Sequence, residues 1–201
     1  NINGQAESKL EIINEDVLKI NLNEIIVEKR KQTEIKNVKI VANLPYYITT
    51  PIIMKLLEDR LDIERITVMI QKEVADRLVT EPGIGDTGAI TYAIHYFTKP
   101  RKVLDVPNTS FIPAPKVNST VITLEVLKEP SVETIDEEKL FEVIKIAFMQ
   151  KRKTLLNALS NSGKFGTKDN IAKILLNLGV DTKIRPEKLT LEQFAKISQN
   201  I

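Results

Sequence analysis

The chain has 201 residues, of which 42% are hydrophobic and 28% charged, the balance of a globular protein rather than a disordered one. It contains no Cys and a single His, His95, which excludes disulfide frameworks, thiolate metal sites, cysteine nucleophiles and multi-histidine metal centres. The net charge of +2 conceals an uneven distribution: between positions 145 and 168 stand Lys145, Lys151, Arg152, Lys153, Lys164 and Lys168, with no acidic residue among them.

No apolar run approaches the roughly 18 residues of a membrane span. Asn1 to Gln5 has neither the basic start nor the apolar core of a signal peptide. The expectation is a cytoplasmic protein with no membrane partner and no metal.

In chain order, Leu10-Glu11-Ile12-Ile13 alternates and predicts a short strand, ended by the polar turn Asn14-Glu15-Asp16. Residues 22–32 have helical spacing and a basic end that suits the negative end of a helix dipole. Val38 to Ala42 predicts a buried, central strand that stops at Asn43-Leu44-Pro45-Tyr46-Tyr47. Thr49 or Thr50 is expected to cap a helix with Pro51 early in it. Ile66 to Ile70 predicts a strand, Lys72 to Leu78 a helix, 81–88 a mobile Gly/Pro loop and 89–97 a helix. Lys102 to Val106 and Val117 to Val126 predict strands, joined by the proline-fixed connector Asn108 to Lys116.

Strands alternating with helices imply an open α/β sheet, largely parallel, closed by an antiparallel hairpin at its edge. After Glu129-Pro130 the pattern turns helical, at 136–149, 152–160, 168–178 and 190–199. The expected division is an α/β domain over 1–130 and a helical domain over 131–201.

Three features compete as carriers of chemistry. Gly83-Ile84-Gly85-Asp86-Thr87-Gly88 matches G-x-G-x-x-G, but a dinucleotide loop must follow a strand, and here a predicted helix precedes it. His95 sits in the apolar stretch Tyr92 to Phe97 with no nucleophilic serine beside it, which reads as a structural or surface histidine rather than a catalytic one. The strongest signal is Asn43-Leu44-Pro45-Tyr46 at the carboxyl end of a strand, where open α/β sheets place ligands. Those residue types suit methylation of an exocyclic amine on a flat base. Such an amine is a poor nucleophile because its lone pair is delocalised into the ring. Two acceptors, the Asn43 side-chain oxygen and the Leu44 carbonyl, would favour a pyramidal nitrogen with its lone pair directed outward. Pro45 holds Leu44 extended, and Tyr46 offers a stacking face. On these four residues alone, an ordinary strand-ending turn explains the pattern equally well. For the basic run, a solvated helix face is the plainer explanation on charge alone.

Four segments in order favour the motif and the basic run as functional. Asn43-Leu44-Pro45-Tyr46-Tyr47-Ile48-Thr49, Gln71 to Leu78, Phe111-Ile112-Pro113-Ala114-Pro115-Lys116-Val117-Asn118-Ser119 and Phe148-Met149-Gln150-Lys151-Arg152-Lys153-Thr154-Leu155 resemble motifs of the KsgA-type ribosomal RNA adenine N6,N6-dimethyltransferases. The resemblance runs from about residue 10 to the end.

It implies a Rossmann-like class I methyltransferase sheet with a small all-helical C-terminal domain. It also implies dimethylation of two adjacent adenosines near the 3′ end of small-subunit rRNA, with S-adenosylmethionine as cofactor and the assembling small ribosomal subunit as partner of a monomeric enzyme. By position, Asn43, Leu44, Pro45 and Tyr46 would be catalytic, with Asn43 also lying against the cofactor. Asp16 would hold the cofactor's adenine, and Tyr46 and Phe111 would stack on the flipped base. Lys151, Arg152 and Lys153 would contact rRNA phosphates.

Two positions depart mildly from the family pattern: Tyr47, where many members have Asn, and Lys151, where Arg is usual. Nothing before Asp16 matches the family's first strand, glycine-rich loop or second-strand acidic residue. The expectation is therefore a sheet incomplete at its N-terminal side that binds cofactor weakly by itself. The erythromycin-resistance methyltransferases of large-subunit rRNA share the Asn-Leu-Pro-Tyr chemistry. A non-catalytic RNA-binding or ribosome-assembly module would keep the same substrate face. A DNA adenine methyltransferase would leave the C-terminal helices unexplained.

Overall fold

A computed structural model describes residues 10–32, 35–150 and 152–201. The first helix, α1 (Leu22–Gln32), carries Glu24 in its first turn and Lys29, Arg30 and Lys31 in its last, so both ends match the dipole. Strand β1 (Lys39–Asn43) then pairs in parallel with β2 (Arg65–Gln71), with α2 (Thr49–Glu58) between them. Next come α3 (Lys72–Val79), α4 (Ala89–Phe97), β3 (Thr98–Val106) and β4 (Ser119–Val126). The strand order is β1-β2-β4-β3.

The structure corrects four expectations. The sheet is not largely parallel: β4 pairs antiparallel with both β2 and β3, leaving β1–β2 as the one parallel pair among the described residues. The cause is the connection. A parallel return needs a crossover, usually a helix that carries the chain back to the other end of the sheet, whereas the connector of residues 107–118 holds only one 3-10 turn, so β4 starts at the end where β3 stops and slots between β3 and β2. Second, β1 lies at an edge rather than in the centre, because no described strand pairs with its outer side, and Val41 is 80% exposed. Third, residues 10–13 form no strand. Alternation becomes a strand only when a ladder partner exists, and here Leu10 and Ile12 stand exposed.

Fourth, neither Thr49 nor Thr50 caps α2. Ile48 takes the cap position, and Thr49 already has helical φ −53° and ψ −53°. A capping side chain needs extended backbone to aim its oxygen at the free N–H groups. The Thr49 hydroxyl instead donates to the Pro45 carbonyl at 3.1 Å.

One sheet face is packed. Ile66, Val68 and Ile70 of β2 and Ile122 and Leu124 of β4 meet Ile53, Leu56 and Leu57 of α2 and Ile94 of α4. Their period of two on strands and of three to four on helices is what the sequence pattern encodes.

The remaining helices are α5 (Glu137–Met149), α6 (Leu155–Asn161), α7 (Lys168–Asn177) and α8 (Leu191–Asn200). Each begins at a side-chain cap, Asp136, Thr154, Thr167 and Thr190 respectively, that accepts from a backbone N–H of the first turn.

Two devices join these helices to the sheet side. Tyr92 of α4 is fully buried, touches the rings of Phe148 and Phe194, and donates its hydroxyl to the carbonyls of Leu189 and Pro186. Arg60, with a left-handed φ of 49°, lies 4.3 Å over the Phe97 ring and pairs with Glu137 at the start of α5. Tyr96 donates to that same Glu137 at 3.0 Å.

His95 is structural, as its sequence context suggests. Its side chain is 10% exposed, with Nδ1 3.7 Å from Glu81. Burial, outweighing the attraction of Glu81, lowers its pKa below the ordinary 6.5. A base harder to protonate when folded leaves the unfolded chain holding more protons, so stability falls as pH drops below about 6.5. Urea midpoints between pH 8 and 5 should show this decline, and His95→Gln should flatten it.

Candidate functional site

The carboxyl ends of β1 and β2, the end of β3 and the start of β4 converge at one end of the sheet, with Gln71 opposite Ser119 and Val106 opposite Ser119 on the other side. Open α/β sheets offer ligands a crevice here. Asn43 is the last residue of β1, with its side chain exposed and without a hydrogen-bond partner among the described residues. Leu44 continues the ladder for one step, donating its N–H to the Met69 carbonyl at 3.2 Å with its side chain buried. Pro45, at φ −59° and ψ 133°, turns the chain into a single 3-10 turn, Tyr46–Ile48. That turn is closed by Ile48 N–H on the Pro45 carbonyl at 3.2 Å.

Tyr46 is half-buried, and its hydroxyl lies 2.8 Å from the Ser119 hydroxyl at the start of β4. This bond spans two segments far apart in sequence and holds the far end of the ring at the start of β4. Sequence reasoning gave Ser119 no role; only the β2–β4 register brings it beside Tyr46.

Phe111 ends the 3-10 turn Asn108–Ser110 in the connector between β3 and β4, half-buried and in extended conformation. The connector is clamped at its base. The Asn108 N–H donates to the Asn118 side chain at 3.0 Å, the Asn108 amide donates to the Pro115 carbonyl at 3.1 Å, and the Lys72 N–H donates to the Asn118 carbonyl at 3.0 Å. Behind it, Asp105 accepts from buried Thr120 at 2.6 Å and from Lys72 at 3.3 Å, and Lys102 pairs with Asp76. The Thr120 hydrogen bond first, then Lys72, holds the Asp105 carboxyl below its ordinary pKa; Lys102 does the same for Asp76. Sequence reasoning missed this charged lattice as well, since its members lie on three different elements.

Asp16 is exposed in a turn before α1, where its carboxylate accepts from the Leu18 N–H at 2.9 Å and faces Lys19 at 3.9 Å. No described hydrogen bond ties that turn to Asn43. The basic run is only partly as expected. Lys151 lies outside the described residues, while Arg152 and Lys153 are exposed just beyond the end of α5. The run is not free of acid in space: Glu142 of α5 pairs with Lys164.

The Gly83 to Gly88 segment follows α3, as the sequence predicts, and so lacks the strand that a dinucleotide loop requires. It is not loose along its whole length. Pro82 is buried, and a Cβ on Gly83 (φ +90°) would stand 3.3 Å from the backbone of Leu189 and Thr190. Among the described residues, no helix is long and apolar enough to cross a membrane, and no group of three or more His, Asp or Glu gathers to hold a metal.

Comparison with known proteins points one way. A family model described as ribosomal RNA adenine dimethylase matches residues 2–201. A ribosomal RNA small subunit methyltransferase A from Alkaliphilus oremlandii is 45% identical over 196 residues, covering 98% of this chain and 67% of the relative. The protein of the same description from Bacillus cytotoxicus is 47% identical over 189 residues, covering 93% of this chain and 64% of the relative. The chain thus spans about two thirds of the length of these curated relatives. Among solved structures, a dimethyladenosine transferase from Plasmodium falciparum superposes with TM-score 0.68 at 26% identity, over 81% of this chain and 66% of the other. The 23S rRNA methyltransferase ErmE superposes with TM-score 0.65 at 22% identity, over 94% of this chain and 71% of the other, a likeness of fold.

Proposed function

This chain belongs to the ribosomal RNA adenine dimethylase family, and from that premise we propose that it dimethylates the N6 amines of two adjacent adenosines near the 3′ end of small-subunit rRNA. The observation that carries the proposal is the constellation at the end of β1: an unpartnered Asn43 amide, a proline-set Leu44, and a Tyr46 ring tethered to Ser119. It matches in kind what a flat base with a weakly nucleophilic amine requires.

In this reading the Asn43 oxygen and the Leu44 carbonyl accept from the two N6 hydrogens. They draw the nitrogen toward a tetrahedral shape and free its lone pair. The Ser119 tether holds the far end of the Tyr46 ring in one place, so the stacking face stays at the end of β1 and the amine arrives at a fixed place. Phe111 closes the other side of the base, on a connector whose base is held by Asn108, Asn118 and Lys72.

S-adenosylmethionine, when bound, supplies an electrophilic sulfonium methyl group. The chain's acceptors fit its adenine and methyl ends, through Asp16 and Asn43. Among the described residues no glycine lies between the end of a strand and the start of a helix, where the methionine end would need close backbone approach. Calorimetry on the 201 residues is expected to show weak cofactor binding or none.

We take residues 131–201 as the rRNA-binding domain and 1–130 as the methyltransferase domain of a cytoplasmic, monomeric protein. Arg152 and Lys153, exposed beside α5, place positive charge where phosphates would be met, with Lys151 adjoining. Replacing Arg152 and Lys153 together by alanine should weaken binding to small-subunit rRNA almost regardless of sequence. It should also lower the slope of log K against log salt by about 1.5, since each phosphate contact contributes about 0.7 on single strands and about 0.9 on a duplex. An unchanged slope in filter binding would remove these two residues from the interface.

Primer extension on both rRNAs tests the function. Stops at two adjacent adenosines of small-subunit rRNA should vanish when the gene is deleted. Loss confined to large-subunit rRNA would favour the erythromycin-resistance chemistry. No loss on either would favour a non-catalytic assembly role.

A further inference from the structure

We propose that Asp105 is a positioning residue for the methylation reaction: through Thr120 it holds the start of β4, and with it the Ser119 hydroxyl that tethers Tyr46. The inference deepens the reading in which Tyr46 stacks on the target base, and rests on it.

Ser119 stands where the sheet is easiest to open. It is the last paired residue of two ladders at once, opposite Gln71 of β2 and Val106 of β3. A terminal pair has neighbours on one side only and frays first. The β3–β4 ladder is also irregular nearby, with a register shift between Lys102 and Leu104. Yet Ser119 is buried, and its hydroxyl meets that of Tyr46 at 2.8 Å. A ladder end that keeps one side chain in place needs further bonds, and both flanks of Ser119 have them.

On one flank, the Asn118 carbonyl accepts from the Lys72 N–H at 3.0 Å, one of the free N–H groups at the start of α3. On the other, the fully buried Thr120 donates its hydroxyl to Asp105 Oδ1 at 2.6 Å. Asp105 lies directly opposite Thr120 across the β3–β4 ladder. Neighbours on a strand alternate faces, so this bond grips β4 from the face away from Ser119 and Tyr46. Lys72 closes the set: its ammonium lies 3.3 Å from Asp105 Oδ2 while its N–H holds Asn118.

The ion pair is a weak source of stability, since the Lys72 and Asp105 side chains are 39% and 56% exposed. What is buried is the Thr120 end. The Thr120 hydroxyl and Lys72 hold the Asp105 carboxyl below its ordinary pKa, and an ionised acceptor makes the shorter, more directional bond to a hydroxyl. The contact is built to orient β4 more than to strengthen the fold.

A double-variant cycle tests this, on the enzyme produced from the whole gene, with methyl transfer measured on small subunits from a strain lacking that gene. Asp105→Ala should lower kcat by about ten- to a hundredfold, the scale set by small misplacements at a reacting centre, with KM for the subunits nearly unchanged. Ser119→Ala should do the same. The two together should be no slower than Ser119→Ala by itself, because Asp105 acts through that hydroxyl. Asp105→Asn, whose side-chain oxygen still accepts from Thr120, should recover most of the lost rate. If Asp105→Ala does not fold, Thr120→Val takes its place in the cycle. Arg101→Ala removes a different exposed β3–β4 ion pair, with Glu125, and should keep the parent kcat. Losses that multiply in the double variant, or an Arg101→Ala loss as large as that of Asp105→Ala, overturn the role of Asp105 and leave the methylation reading standing. A parent enzyme that transfers no methyl group to these subunits overturns both.

Discussion

Asn43→Ala is expected to abolish dimethylation, by a factor of about 10² to 10³ or more per transfer, the usual loss when a preorganised hydrogen-bonding group at a reacting centre is removed. The reason is specific to this amine. Its lone pair is conjugated with the ring, so the barrier consists largely of pulling it out of conjugation, and an acceptor that binds the pyramidal form better than the planar one lowers that barrier directly. Asn43 can play this part because β1 ends at it and its side chain is free. Asn43→Asp offers an acceptor at both oxygens but adds a charge, and should retain more activity than alanine. The measurement is primer extension past the two adenosines in cells whose only copy of the gene carries the substitution. Full stops in the alanine strain would remove Asn43 from the chemistry.

Tyr92→Ala should cost about 4 kcal/mol of stability, near the middle of the range for emptying a buried aromatic site. Tyr92 is completely buried, packs at 5.3 Å and 5.0 Å from the Phe148 and Phe194 ring centres, and shares its hydroxyl hydrogen between Leu189 and Pro186. Its loss opens a cavity between α4 and the C-terminal helices and strands two carbonyls together. Domains of this kind have total stabilities of about 5–15 kcal/mol, so the variant stands near unfolding. Tyr92→Phe, which keeps the ring and loses only the hydroxyl, should cost about 1–2 kcal/mol and remain measurable by urea denaturation. Burial pushes the Tyr92 hydroxyl up to about 12, above its ordinary 10.0. The folded state therefore holds this proton longer than the unfolded state, and stability should decline from about pH 10 upward in the parent but less steeply in the phenylalanine variant. Equal stability of parent and Tyr92→Ala would show that this ring does not join the two parts.

Much of the architecture is legible along the chain because it is written in short-range signals. Helices α1 to α8 and strands β1 to β4 all overlap the segments that hydrophobic period and punctuation predict, although β3 begins at Thr98, four residues before the predicted Lys102, and α6 at Leu155 rather than 152. The four N-caps of the C-terminal helices are local contacts between a Thr or Asp and an N–H three residues on. The Asn43 to Tyr46 stretch is recognisable for the same reason: its chemistry resides in consecutive residues. Its rivals were separable only because three more motifs followed in order.

Apart from the α2 cap, which fails locally because the Thr49 backbone is already helical, the misreadings share one cause, which is that each depended on a partner distant in sequence. Leu10 to Ile13 alternates like a strand, but a ladder requires a second edge. β1 reads as central, but its position depends on what pairs beside it. The run from Lys145 to Lys168 lacks acid along the chain, yet α5 and the turn after α6 bring Glu142 to Lys164.

By itself the sequence determined the element types, the change from mixed to helical pattern after Pro130, and the presence of acceptors suited to a base amine. Tertiary structure alone decided that β4 inserts between β2 and β3. That insertion sets Ser119 against Tyr46, and so ties a four-residue motif on one strand end to the start of another strand. The physical reason is range. Periodicity, caps and turns are settled within a few residues by backbone sterics and local hydrogen bonds. Strand order and the pairing of Tyr46 with a residue 73 positions away depend on which buried faces fit, and that is resolved only when the whole core packs.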